Sequence, residues 1–199
     1  QGVLNPTYPY YLAGRPVSPN SDLTVLNKYT NEPATRVARA DAATFDRAIA
    51  AASASFEKTR RLPHFRRQAI LAHVVERATH RADELARVLC IEAGKPIKDA
   101  RGEVTRLIDT FRVAVEECPR LTGETIPLDI APRAEGYEGF TKRFPVGVCG
   151  FITPFNFPLN LVAHKVAPAL AVGAPIIIKP PIQAPSAQLI LAEIAQAAG

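Results

Sequence analysis

Apolar residues fall at helical spacing through the middle of the chain and run almost unbroken near its end. Leu71, Val74, Val75, Ala78, Ala82, Leu85 and Leu89 recur three and four residues apart, the period of one buried helix face. We expect a helix opened by Pro63 and stopped by Gly94. A second stripe, Val104, Leu107, Ile108, Phe111, Val115 and Cys118, predicts another helix after Pro96. Glu103/Arg106 and Asp109/Arg112 would pair on its outer face, each worth only a few tenths of a kcal/mol, so packing of the stripe must hold the helix. Asp41 is placed to cap an Ala-rich helix reaching about Lys58. Leu23 to Lys28 and Thr35 to Ala40 read as strands around a turn at 29–33, and 124–130 and 137–144 read as a second pair around Pro132 to Gly136.

The pattern changes near residue 144. Lys165, Lys179 and Glu193 are the only Asp, Glu, Lys or Arg residues after it. Val146 to Thr153 predicts a buried strand, Leu159 to Val172 a helix kinked at Pro168, Pro175 to Lys179 a second apolar strand, and Ala187 to Ala198 a helix. Strand, helix, strand and helix with short links predict an α/β fold with a parallel sheet. Ligands of such sheets sit at the carboxyl ends of the strands, where Thr153 to Asn156 and Lys179 to Ile182 fall.

The 199 residues are 47% apolar and 22% charged, a globular composition. No stretch reaches the about 18 apolar residues of a membrane helix, and Gln1 to Pro6 lacks the features of a signal peptide. Neither that start nor any other position carries Met, so we expect a processed or trimmed beginning. The net charge of +5 raised nucleic acid as a partner, but Lys58, Arg60, Arg61, Arg66 and Arg67 read as a solvated corner with no aromatic row beside them. No nucleic-acid or membrane partner is expected. Cys90, Cys118 and Cys149 are odd in number and lack metal-ligand spacing. Reduced thiols in a cytoplasmic protein, with no metal, are the simplest reading.

No glycine fingerprint for dinucleotides or phosphates occurs, and no serine elbow or zinc-helix pattern. Gly147 and Gly150 read instead as easing tight strand packing. Asn156 sits between Phe155 and Phe157, with Pro154 and Pro158 outside them. Prolines stiffen this strand exit. An amide on a stiff loop is a preorganised donor to a developing oxyanion; capping of the next helix is the competing role. Lys179 ends an apolar strand, either to donate to a sugar hydroxyl or phosphate or to snorkel outward.

The segment Ile-Thr-Pro-Phe-Asn-Phe-Pro at 152–158, followed by 165–173 and by Ile-Ile-Ile-Lys-Pro at 176–180, resembles the aldehyde dehydrogenase superfamily. Glu92-Ala93-Gly94-Lys95-Pro96, the Glu103-Val104 helix and Gly123 to Pro127 extend the resemblance over nearly all of 20–199. It implies NAD- or NADP-dependent oxidation of an aldehyde to a carboxylic acid through attack by a cysteine thiolate. Asn156 would hold the oxyanion, Ile152, Thr153, Pro154 and Phe155 would line the cofactor, and Lys179 would reach the adenosine ribose. The wording around Asn156 is most like members acting on small hydroxy- or phospho-aldehydes.

The departures are specific. Phe155 stands where the family commonly has Trp and keeps an aromatic wall. Ile182 stands where NAD-preferring members often carry Glu, so NADP would be tolerated. The family's nucleophilic cysteine, general-base glutamate and later glycine turn find no match up to Gly199. Residues 1–122 would then be the hairpin and helices of the cofactor domain, 123–143 an oligomerisation hairpin, and 144–199 the first half of a Rossmann-like sheet. A homodimer or homotetramer is implied, and these residues alone would be inactive. The rival is a non-catalytic module that binds dinucleotide or only associates.

Overall fold

The structure, a computed structural model, describes residues 3–199. Three short strands that the pattern did not announce come first: β1 (Thr7–Tyr8), β2 (Tyr10–Leu12) and β3 (Arg15–Val17). Runs of two or three residues are too short to show alternation. β2 and β3 pair through Ala13 and Gly14, both at positive φ, as a two-residue hairpin turn requires. The expected hairpin is β4 (Leu23–Leu26) with β5 (Pro33–Val37), and β1 adds in parallel to the other side of β5. Pro33 belongs to the strand and not to the turn; as its first residue it spares the ladder a lost donor.

α1 (Ala42–Thr59) begins as expected, with the Asp41 carboxylate accepting the Thr44 N–H at 2.8 Å. The single helix expected from Pro63 to Gly94 is two, α2 (His64–His80) and α3 (Ala82–Ala93). The break is at Arg81 (φ −100°, ψ 17°), whose guanidinium bonds Glu84 and Glu193. Leu71, Val74, Ala78, Leu85 and Leu89 stay buried on both sides of it, so spacing alone does not reveal the interruption. Gly94 ends α3 at φ 67°, where a side chain is strained.

α4 (Ile97–Glu117) buries Val104, Leu107, Ile108 and Phe111 as its stripe predicts. Glu103 corrects that reading: it is buried, pairs with Lys95 and not with Arg106, and belongs to the inner face. Asp109 and Arg112 do pair outside, at 3.2 Å. The basic corner is also corrected at one position. Arg67 is buried and donates to the Val172 carbonyl at 3.2 Å, while Arg60 and Arg61 pair with Glu57 in solvent.

β6 (Thr125–Pro127) and β7 (Glu138–Phe140) form the second hairpin, shorter than expected, with a turn of 3-10 helix at Pro132–Ala134. Gly123 opens it. A Cβ there would lie 1.6 Å from the Thr141 carbonyl oxygen, so only glycine fits.

The last region holds β8 (Cys149–Ile152), α5 (Asn160–Val172), β9 (Ile176–Lys179) and α6 (Ser186–Gln196). β8 and β9 are parallel, with α5 as the crossover. α5 runs through Pro168. The helices are buried, and Leu159, Val162, Val166, Ile190 and Ile194 join the core of α2, α3 and α4. The strands are not the buried pair expected: Ile152 is 75% exposed, Val146 94%, and Cys149 half-buried. Only two strands pair here among the described residues, which leaves apolar faces suited to a covered sheet in the open. Gly147 and Gly150 do not ease tight packing either, since a Cβ at each would meet nothing within 4 Å. No helix among the described residues is long and apolar enough to cross a membrane.

Candidate functional site

β8 and β9 end side by side, with Ile152 opposite Lys179. Both exits therefore leave the same end of the sheet. Ile152, Pro154, Phe155 and Asn156 are exposed on the first exit, and Lys179 and Ile182 on the second. The structure thus brings together the residues named from sequence. Thr153 differs from its neighbours, being buried, and its hydroxyl works inside the fold. It donates to the Lys179 carbonyl at 3.1 Å and accepts from Gln188 Nε2 at 3.0 Å.

Gln188 reaches further. Its Nε2 also donates to the Pro158 carbonyl at 2.6 Å. One amide on α6 thereby fastens both ends of the tetrapeptide Pro154 to Phe157. Asn156 lies in its middle. The competing role for Asn156, capping of α5, is not what the structure shows: the cap position is Leu159, without a side-chain bond.

A buried carboxylate takes that place. Glu103 Oε1 accepts the N–H of Leu159 at 2.8 Å and of Asn160 at 3.0 Å. Its Oε2 pairs with Lys95, whose Nζ sits 3.8 Å from the centroid of the Phe157 ring. α6 is treated alike: Glu92 accepts the Ser186 N–H at 2.9 Å. Burial pushes the Glu92 carboxyl up to about 7, against the Ser186 bonds and the Lys28 charge, which pull it down. Glu92 Oε1 is buried without a partner, which suits a protonated oxygen.

Glu92, Lys95, Glu103 and Gln188 were missed as supports of this site. For Glu103 a signal existed. It falls four residues before Leu107 and eight before Phe111, on the buried face.

The Lys179 side chain has no hydrogen-bond or ion-pair partner among the described residues, leaving a cation at the strand end opposite Ile152, on the same end of the sheet as the exposed Phe155 and Ile182. A polar donor among exposed apolar side chains is the kind of set that holds the sugar and ring of a nucleotide. The thiols stand elsewhere. Cys118 is buried, burial pushes the Cys90 thiol up, and Cys149 lies about 10 Å back along β8 from Ile152.

The profile of the aldehyde dehydrogenase family matches residues 16–199. The chain is 38% identical over 192 residues to 3-sulfolactaldehyde dehydrogenase of Priestia megaterium, covering 96% of this chain and 40% of that one. The crystal structure of aldehyde dehydrogenase 21 from Physcomitrella patens, in complex with the reaction product succinate, superimposes with a TM-score of 0.94. It is 49% identical, over 97% of this chain and 40% of that one. Glyceraldehyde-3-phosphate dehydrogenase GapN from Methanocaldococcus jannaschii, complexed with NADP, matches with a TM-score of 0.86 and 39% identity, over 90% and 38%. The chain therefore spans about 40% of the length of these relatives.

Proposed function

The chain belongs to the aldehyde dehydrogenase family, and from that membership we propose that it is the N-terminal part of an enzyme oxidising a small aldehyde to its acid with NAD or NADP. The observation that carries this is the placement of Asn156 on a loop fastened at both ends by Gln188. An amide so held has its orientation settled before reaction, the condition for stabilising a developing oxyanion. A bound nicotinamide would supply the hydride acceptor. Lys179 would donate to the ribose of the cofactor, and Ile152, Pro154 and Phe155 would present apolar surface to it. Thr153 supports them from beneath through its bonds to Lys179 and Gln188. Ile182 offers no carboxylate to accept a ribose hydroxyl or to repel a 2′-phosphate, so NADP is accepted. The thiolate that attacks the carbonyl is supplied from outside these 199 residues.

The substrate class follows two of the three relatives named; the third, solved with succinate, shares the anionic end and lacks the hydroxyl. 3-Sulfolactaldehyde and glyceraldehyde 3-phosphate are both 2-hydroxyaldehydes with an anionic group on the third carbon. We assign this chain to the same class. The three regions 1–122, 123–143 and 144–199 serve as cofactor-domain helices, association hairpin and first half of the Rossmann-like sheet. Ile126, Ile130, Tyr137 and Phe140 are exposed on the hairpin and suit association into a homodimer or homotetramer. Three free cysteines suit the reducing cytoplasm.

The test is NAD(P)H formation by the full-length protein with glyceraldehyde 3-phosphate, sulfolactaldehyde and an uncharged aldehyde of equal length. Aldehyde-dependent reduction favouring the anionic pair is expected. Cofactor binding without turnover on any aldehyde would leave the non-catalytic module as the better reading.

A further inference from the structure

We propose that Glu103, with Lys95 as its counter-ion, is the positioning residue for Asn156. This rests on Asn156 being the oxyanion donor. Every bond that Glu103 makes converges on the segment after Asn156 or on the lysine that touches it. One oxygen holds the N–H groups of Leu159 and Asn160. The other holds Lys95, and Lys95 lies over the ring of Phe157, the residue next to Asn156. The chain is thus gripped at its adjacent ring and at the first turn of α5.

A carboxylate whose side chain is fully buried is costly unless charged and polar partners surround it. A plain helix cap needs no such group, since a Ser or Asp at the cap position serves. Here the cap comes from α4, over fifty residues away in sequence, so α4 dictates where the loop sits against the core. Gln188 closes the loop from the other side through Thr153 and Pro158. Between the two grips the Asn156 amide is left exposed and without a hydrogen-bond partner among the described residues, available to a ligand.

The experiment is a double-mutant cycle in the full-length protein, with kcat and both KM values measured, and hydrogen exchange followed over residues 154–161. Asn156→Ala gives the reference loss. Glu103→Ala should lower kcat about 10–100-fold, the scale of a loop displaced by an ångström, while the cofactor KM moves less than about threefold. Asn156→Ala with Glu103→Ala should be no slower than Asn156→Ala alone, because one residue acts through the other. Glu103→Gln keeps an oxygen for the two N–H groups and should recover most of the rate. Lys95→Met should cost a smaller factor and release the exchange of 157–160 only. If Glu103→Ala does not fold, Lys95→Met carries the test, alone and combined with Asn156→Ala, and an unchanged kcat in Lys95→Met beside a slow Asn156→Ala then overturns the proposal.

Multiplying losses in the double variant would overturn the proposal, as would unchanged kcat in both Glu103→Ala and Lys95→Met beside a slow Asn156→Ala. An unchanged kcat in Asn156→Ala itself would instead remove the oxyanion reading, and the proposal with it.

Discussion

Ile152 and Lys179 are partners on the last rung of the parallel pair of β8 and β9. That one register places a stiff, proline-flanked loop and a strand-end cation at the same edge. Had the pairing slipped by one residue, every side chain of one strand would turn to its opposite face. The site is therefore a property of the strand register as much as of the residues themselves.

The oxyanion role of Asn156 predicts a large effect confined to chemistry. Asn156→Ala should lower kcat about 10²–10³-fold, the loss typical of one such donor. Cofactor affinity, read by fluorescence titration, should hardly change. A turnover equal to the parent's, where chemistry limits the rate, would contradict the assignment.

Cofactor choice should respond to position 182. Ile182→Glu adds an acceptor for ribose hydroxyls and a charge that repels a 2′-phosphate. The ratio of kcat/KM for NAD over NADP should rise. No shift, or one toward NADP, would mean that Ile182 does not face the ribose.

The Gln188 clasp should be visible in stability. Gln188→Leu keeps the bulk but takes a buried donor from both the Thr153 hydroxyl and the Pro158 carbonyl. The expected cost is about 1–3 kcal/mol, from the denaturant midpoint at unchanged slope. A midpoint equal to the parent's would show that the clasp does not hold the loop.

Glu92 sets a pH dependence of its own. Its carboxyl is pushed up from 4.5 to about 7 in the folded protein. Between those values the folded state binds the extra proton, so this contribution is fully present below about 4.5 and is lost as pH rises to about 7. The size is on the order of 3 kcal/mol. Glu92→Gln, neutral throughout, should flatten that slope and melt higher than the parent at pH near 8. A parent whose stability is level over this window would contradict the buried, protonated Glu92.

Much of the fold was legible in the sequence because its helices carry long stripes. Val104 to Cys118 spans four turns, and periodicity over that length leaves little ambiguity. Asn156, Lys179 and Ile182 were legible as a strand-end group because short apolar strands with proline exits mark their own ends. Other features depend on contacts distant in sequence. The helix breaks at Arg81 under a stripe that stays continuous, and one of the bonds of Arg81 goes to Glu193, more than a hundred residues away. Glu103 was set outside by its charge, although its spacing from Leu107 and Phe111 put it inside. The exposure of Ile152 depends on what lies beside the strand pair, which a strand's own composition does not report.

The first N–H groups of α5 and α6 go to side-chain carboxyl groups of the chain itself, Leu159 and Asn160 to Glu103 and Ser186 to Glu92. Helix starts above parallel strands ordinarily greet phosphate. These two have already accepted an internal substitute for it. A dinucleotide placed along this edge would find those three N–H groups already taken. The missing glycine fingerprint and the occupied helix starts agree: α5 and α6 begin on side chains of their own chain, where such helices would otherwise meet a phosphate.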